Sequence, residues 1–173
     1  MKIQTRPWAI ASTIGTIVEL LLGLGLSSLI GFVLQRLIAD AQMSASTEVA
    51  MLSSGIGAIQ LCLCGSVYGL LVGALYAFTL PRDEYFTATE SAFGGSLAAA
   101  TASVTAGVLG LFVSLMFLIT QIGPQIGEAA ELAGLVFTQL FTGIGGVLVG
   151  GMVALIMGAA GGGVALAVTR REK

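Results

Sequence analysis

The stretch FGGSLAAATASVTAGVLGLFVSLMFLI, residues 93–119, contains no charged side chain and is rich in Ala, Val, Leu and Phe. About 20 predominantly apolar residues in an α-helix cross the hydrocarbon core of a bilayer, so this run is long enough for one membrane span. Further apolar runs occupy residues 8–34, which include one acid, Glu19, and residues 55–80 and 143–168. The sequence predicts an all-α fold: an integral membrane four-helix bundle with four transmembrane helices, in a single domain over residues 1–173.

The overall composition agrees with this prediction. The chain has 173 residues, of which 56% are hydrophobic and 9% are charged, whereas a soluble domain carries about 25% charged residues. We therefore expect the lipid bilayer to be the main surrounding of this protein.

The basic residues predict an orientation in a cell (inner or plasma) membrane. Six of the seven Lys and Arg residues fall on one side of the predicted bilayer, and the opposite side has Arg36. Because cytoplasmic loops carry an excess of Lys and Arg, we expect both termini and the loop 81–92 to be cytoplasmic. Five aromatic residues fall near the same boundary, as an aromatic belt would: Trp8, Tyr76, Phe78, Tyr85 and Phe86.

The outer connections are predicted to be helical. Pro124 and the acidic residues after it are typical of a helix start, and a helix from Gln125 to Val168 would be about 66 Å long against a hydrocarbon core of about 30 Å. Such a helix must protrude, lie partly in the interface or break, and Gly143, Gly145 and Gly146 are the expected position of a break. The first helix is expected to continue to about Gln42.

Small residues recur at every fourth position of three predicted helices, and residues four apart share one helix face. Such faces let helix backbones approach closely in a membrane. They either pack the helices of one chain together or bind another chain, and because three helices carry them we expect at least one to face another chain. The predicted packing faces contain Gly65, Gly69, Gly73, Gly146, Gly150, Gly158 and Gly162, with Ala98, Ala102, Ala106 and Gly110 on the third helix.

Glu19 stands near the middle of the first apolar run, in GTIVELLLGLG at residues 15–25. Its helical face also carries Ser12 and Thr16, and these three residues form the candidate intramembrane polar or ion site. An ionised carboxylate in hydrocarbon is unfavourable, and no Lys or Arg occurs at a similar depth, so we expect a neutral carboxyl group. Its candidate hydrogen-bond partners on other helices are Gln60, Thr101, Ser103, Thr105 and Thr142.

Three roles for Glu19 follow from this placement. The carboxyl group can hold helices together by hydrogen bonds, it can pair with a positive charge of a partner chain, or it can carry a proton or another cation. The sequence leaves these three roles open.

The sequence offers no catalytic residue, metal site or cofactor site. The chain lacks histidine, which excludes imidazole ligands and His-dependent catalysis. Cys62 and Cys64 point to different faces of a predicted helix and cannot readily form a disulfide. We expect neither enzymatic activity nor nucleic-acid binding.

The favoured function is therefore a small accessory or structural subunit of a larger membrane assembly, in contact with lipid and with other membrane subunits or further copies of itself. The alternative is a small oligomeric proton or cation transporter or channel that uses Glu19.

Overall fold

The computed structural model describes residues 4–41, 65–81, 84–122 and 129–169, and over these residues the fold is all-helical. Helix α1 spans Thr5–Ala41, α2 is described over Gly65–Thr79, α3 spans Ala88–Phe117 and α4 spans Ala129–Thr169. A short π-helix, Leu118–Ile122, extends α3. The all-α prediction is confirmed. The first outer connection and the beginning of the second predicted span lie outside the described residues.

Local sequence accounts for the start of α3. The Thr87 hydroxyl accepts a hydrogen bond from the Glu90 backbone N–H at 3.3 Å, and a Glu90 carboxylate oxygen accepts one from the Thr87 N–H at 3.1 Å. This reciprocal pair satisfies backbone donors that lack partners inside the helix. Helix α1 is described over Thr5–Ala41, and its expected end at about Gln42 lies outside the described residues.

Helix α4 is continuous through Gly143, Gly145 and Gly146, so the predicted break at these glycines is wrong. A helical glycine is less favourable than alanine by about 1 kcal/mol. A break in apolar surroundings would leave several backbone N–H and C=O groups without hydrogen bonds, and each such group would destabilise the fold by several kcal/mol. The helix therefore continues. At about 1.5 Å per residue α4 is about 62 Å long, longer than a bilayer core.

Helices α2, α3 and α4 approach one another closely at residues without large side chains. A Cβ atom at Gly95 of α3 would lie 2.7 Å from the Gly158 carbonyl oxygen of α4 and 3.1 Å from Gly73 Cα of α2. Further along α4, the Gly162 carbonyl accepts a hydrogen bond of 2.8 Å from the buried hydroxyl of Ser91 on α3. Helix α1 packs against α3, and its Gly15 lies close to Tyr68 and Val72 of α2.

Two of the five predicted belt aromatics lie in the core. Tyr76 is 1% exposed and its ring packs against Gly94, while Phe86 is 6% exposed. Phe78 and Tyr85 are exposed, as a membrane-interface position requires. The difference arises because Gly94 leaves a space on α3 that the Tyr76 ring fills.

Two helical segments, Ala88–Thr120 and Leu132–Thr169, are long and apolar enough to cross a membrane, and α2 over Gly65–Thr79 is apolar but shorter. Only 17% of the most apolar part of each long segment is buried, whereas the core helix of a soluble protein would be mostly buried. Large apolar side chains are therefore exposed, among them Phe112, Phe137, Phe141, Met152 and Ile156. These two helices indicate membrane association.

Candidate functional site

Helix α1 brings the half-buried Glu19 against α3. The Ser103 hydroxyl donates a hydrogen bond of 3.1 Å to Glu19 Oε1, and Ser103 is itself buried. Ser103 was one of five partners that the sequence allowed. Of the others, Thr142 donates to the Thr138 carbonyl of its own helix at 2.8 Å, and Gln60 falls in a part of the chain that the structure does not describe.

Tyr68 of α2 completes the polar cluster. Its side chain is 5% exposed, and its hydroxyl group lies beside the Glu19 carboxyl group, close enough to interact with it. Tyr68 Oη and Glu19 Oε2 are both buried, and neither makes a hydrogen bond of good geometry to a described residue. In the described parts of the chain these are the two buried side-chain polar atoms without a partner. A buried polar group without a partner is unfavourable by about 1–3 kcal/mol, so their presence here calls for an explanation.

Gly15, one turn before Glu19, makes room for the Tyr68 hydroxyl. A Cβ atom at this position would lie 2.5 Å from Tyr68 Oη, 2.9 Å from Val72 Cγ2 and 3.0 Å from Ala102 Cβ. The missing side chain lets α1 approach both α2 and α3. The phenol therefore reaches the same part of the bundle as the carboxyl group.

A cavity of about 660 Å³ lies beside this cluster and is lined by residues of α1, α2, α3 and α4. Its volume is typical of small-molecule sites, which range over about 300–1,000 Å³. One third of its lining residues carry polar side chains, and the others are aliphatic or glycine. The polar ones are Glu19, Tyr68, Ser103, Ser114, Gln139 and Thr142; the aliphatic ones are Val18, Leu22, Val67, Leu71, Leu111 and Val147.

The two hydroxyl residues predicted to share the site with Glu19 have backbone partners instead. Ser12 donates to the Ala9 carbonyl at 3.2 Å, and Thr16 donates to the Ser12 carbonyl at 2.9 Å and to the Ala102 carbonyl of α3 at 3.5 Å. Ser12 and Thr16 thus donate to backbone carbonyl groups, and neither is among the residues that line the cavity. Sequence reasoning missed Tyr68, although a tyrosine deep within the apolar run 55–80 was a usable signal.

The glycines predicted to form packing faces lie against helices of the same chain or line the cavity. Gly69 approaches Met157 Cβ and Ala154 of α4, Gly158 approaches Ala99 of α3, and Gly150 lies near Ser103. Gly65 faces Val153, Gly73 meets Gly158, Gly162 meets Ser91, and Gly146 lines the cavity. Six of these seven glycines thus pack against other helices of the same chain.

The described residues contain no group of three or more His, Cys, Asp or Glu that could hold a metal ion. What they bring together is one carboxyl group, one phenol and one serine hydroxyl beside a mostly apolar cavity. This chain is thus an all-helical protein with two candidate membrane-spanning helices and a polar cluster in its interior. No protein-family model, curated protein or solved structure matches it.

Proposed function

We propose that this protein is a multi-pass membrane protein that binds and moves a cation through the cluster of Glu19, Tyr68 and Ser103, as a small oligomeric transporter or channel without enzymatic activity. The observation that carries the proposal is the pair of buried, unpartnered oxygen atoms, Glu19 Oε2 and Tyr68 Oη, beside the cavity. Both oxygen atoms can accept a hydrogen bond from a cationic donor in the cavity.

The charge of the site supports a cation as its ligand. No Lys or Arg is among the described residues that line the cavity, and Arg36 on the same helix lies about 25 Å further along its axis. An uncompensated carboxylate in apolar surroundings is unfavourable. Glu19 is therefore proposed to hold a proton while the site is empty and to release it when a cation enters.

The proposed membrane arrangement has four spans, with α1 and α2 in addition to the two long apolar helices. Glu19 would then lie near the middle of the first span, where water cannot compensate its charge. Lipid would cover the exposed apolar side chains of α3 and α4.

Glu19→Gln is expected to abolish cation or proton flux in proteoliposomes, because an amide is similar in shape to a carboxyl group but neither releases a proton nor balances a cation. The matched control is Glu84→Gln, which makes the same chemical change at an exposed position where Glu84 accepts a hydrogen bond from Gln4. Both variants should be recovered as folded protein. Wild-type flux in Glu19→Gln would rule out the proposed transport site.

The proposed orientation, with both termini and the loop before α3 in the cytoplasm, can be tested by cysteine labelling in a variant in which Cys62 and Cys64 are replaced by alanine. Tyr85, which is 94% exposed, and Ser46 are the positions to change to cysteine. A membrane-impermeant maleimide applied to right-side-out vesicles should label Ser46→Cys and not Tyr85→Cys. Labelling of both from one side would contradict the topology.

The accessory subunit that the sequence favoured stays a prediction. It rests on the expectation that at least one small-residue face contacts another chain, and the face of α3 at Gly110 has room for one, since a Cβ atom there would meet nothing within 4 Å. Copurification after extraction in mild detergent distinguishes the two functions. A stoichiometric partner, together with flux that is independent of Glu19, would favour the accessory role.

A further inference from the structure

The cavity beside Glu19 is larger than a proton or a bare metal ion needs. A hard metal cation requires a shell of about six or more oxygen ligands. The two side-chain oxygens described next to the Glu19 carboxyl group are those of Tyr68 and Ser103, and one Glu19 oxygen already accepts from Ser103. A ligand of this site therefore needs both a positive charge and an organic part large enough to occupy the cavity.

An organic ammonium group matches the free atoms of the cluster. It has N–H donors but no acceptor, and Glu19 Oε2 and the Tyr68 hydroxyl oxygen can both accept. A charge-assisted hydrogen bond to a carboxylate is about twice as strong as one between neutral groups. The ammonium ion would thus donate hydrogen bonds to both oxygen atoms, neither of which has a hydrogen bond of good geometry among the described residues.

The rest of the cavity is lined mainly by aliphatic side chains and glycine, so it can hold the apolar part of a ligand. The aliphatic residues come from several helices, with Leu22 on α1, Leu71 on α2, Leu111 on α3 and Val147 on α4. Gly23 also lines the cavity, and a Cβ atom there would meet nothing within 4 Å. The hydrophobic effect favours an aromatic or branched alkyl group in such a space.

We infer that the ligand is a lipophilic organic amine, bound as its ammonium ion between Glu19 Oε2 and Tyr68 Oη with its apolar body in the cavity. The inference rests on the proposed cation site and specifies its ligand class. Binding exchanges charges: the ammonium ion enters, the Glu19 carboxyl group loses its proton to solvent, and the net charge of the site is unchanged. One proton is released for each ammonium ion bound.

The test uses phenethylamine as the probe and phenethyl alcohol as its uncharged analogue. Equilibrium dialysis against the full chain in detergent micelles measures amine binding, after subtraction of the amine that partitions into protein-free micelles. A pH indicator in weakly buffered solution measures proton release. The variants are Glu19→Gln, which removes the carboxylate, and Gly23→Leu, which fills the cavity. Gly145→Leu is the control, because a Cβ at Gly145 also meets nothing within 4 Å and this residue does not line the cavity.

Saturable binding of phenethylamine with release of protons is expected in the wild type. Glu19→Gln should weaken phenethylamine binding at least about tenfold, because the ammonium ion loses its charged partner. Gly23→Leu should weaken binding to a similar extent. Gly145→Leu should bind the amine like the wild type. Competition by phenethyl alcohol as strong as that by the amine would overturn the inference, as would equal binding in Glu19→Gln. Proton flux that depends on Glu19 without any amine binding would reject the inference while leaving the proposed transport function intact.

Discussion

Gly158→Leu is expected to prevent assembly of the helix bundle. A Cβ atom at Gly158 would lie 2.6 Å from Ala99 Cβ and 2.6 Å from the Gly95 carbonyl oxygen. One of these atoms belongs to the backbone of α3, which cannot move aside without separating α3 from α4. Overpacking of a core typically lowers the free energy of unfolding by about 1–3 kcal/mol, and an isobutyl group against backbone should reach or exceed the upper end. Yield of monodisperse protein and the midpoint of thermal unfolding in mild detergent are the measurements.

Gly145→Leu on the same helix is the control for this prediction. Both changes replace a helical glycine by leucine and raise the helix propensity equally, by close to 1 kcal/mol. They differ in the space that the new side chain meets, since a Cβ at Gly145 has nothing within 4 Å. If Gly158→Leu unfolds at the same temperature as Gly145→Leu, the described packing of α3 against α4 is incorrect.

The second large effect is expected at Gly15. Gly15→Ala places a methyl group 2.5 Å from Tyr68 Oη and 2.9 Å from Val72 Cγ2, so the phenol and α1 must shift apart. We expect a loss of about 1–3 kcal/mol in the free energy of unfolding, together with loss of Glu19-dependent flux because the carboxyl and phenol groups separate.

A double-mutant cycle with Tyr68→Phe tests whether the effect of Gly15→Ala arises from the contact between residue 15 and Tyr68. Alone, Tyr68→Phe removes a buried hydroxyl without a partner and should raise the free energy of unfolding by about 1 kcal/mol. In the Tyr68→Phe background, Gly15→Ala should be less destabilising, because the nearest atom is gone while Val72 and Ala102 remain close. Residues in contact show coupling of about 0.5–3 kcal/mol. Strictly additive effects of the two substitutions would show that Gly15 and Tyr68 are not in contact.

Much of the helical architecture was predictable from residue type and spacing. Long apolar runs predicted helices, and each of the four runs overlaps one of the described helices. The four-residue spacing of Gly and Ala predicted close helix faces, and Gly69, Gly73 and Gly158 do meet other helices. Ser103 was among the expected partners of Glu19 because it is a hydroxyl residue on a neighbouring helix. These predictions succeed because helix periodicity alone places residues on a common face.

Other features depend on how the helices are rotated and shifted against one another. Tyr76 lies inside because Gly94 of a different helix leaves space for its ring. Helix α4 continues through three closely spaced glycines, since backbone hydrogen bonding in apolar surroundings outweighs their low helix propensity. Neither result follows from the local sequence of the element concerned.

The candidate site was also predictable from the sequence in part, and the rest of it depends on how the helices pack. The isolated carboxylate in an apolar run was enough to select Glu19, because a charge in hydrocarbon is unfavourable wherever the other helices lie. Its surroundings were not predictable: Ser12 and Thr16 share its helix face, yet they donate to backbone carbonyls, whereas Tyr68 comes from α2. A helix face specifies which residues of one helix point the same way. Which residues of other helices they meet depends on the packing of α1 against α2 and α3, where Gly15 permits the close approach that brings the phenol to the carboxyl group.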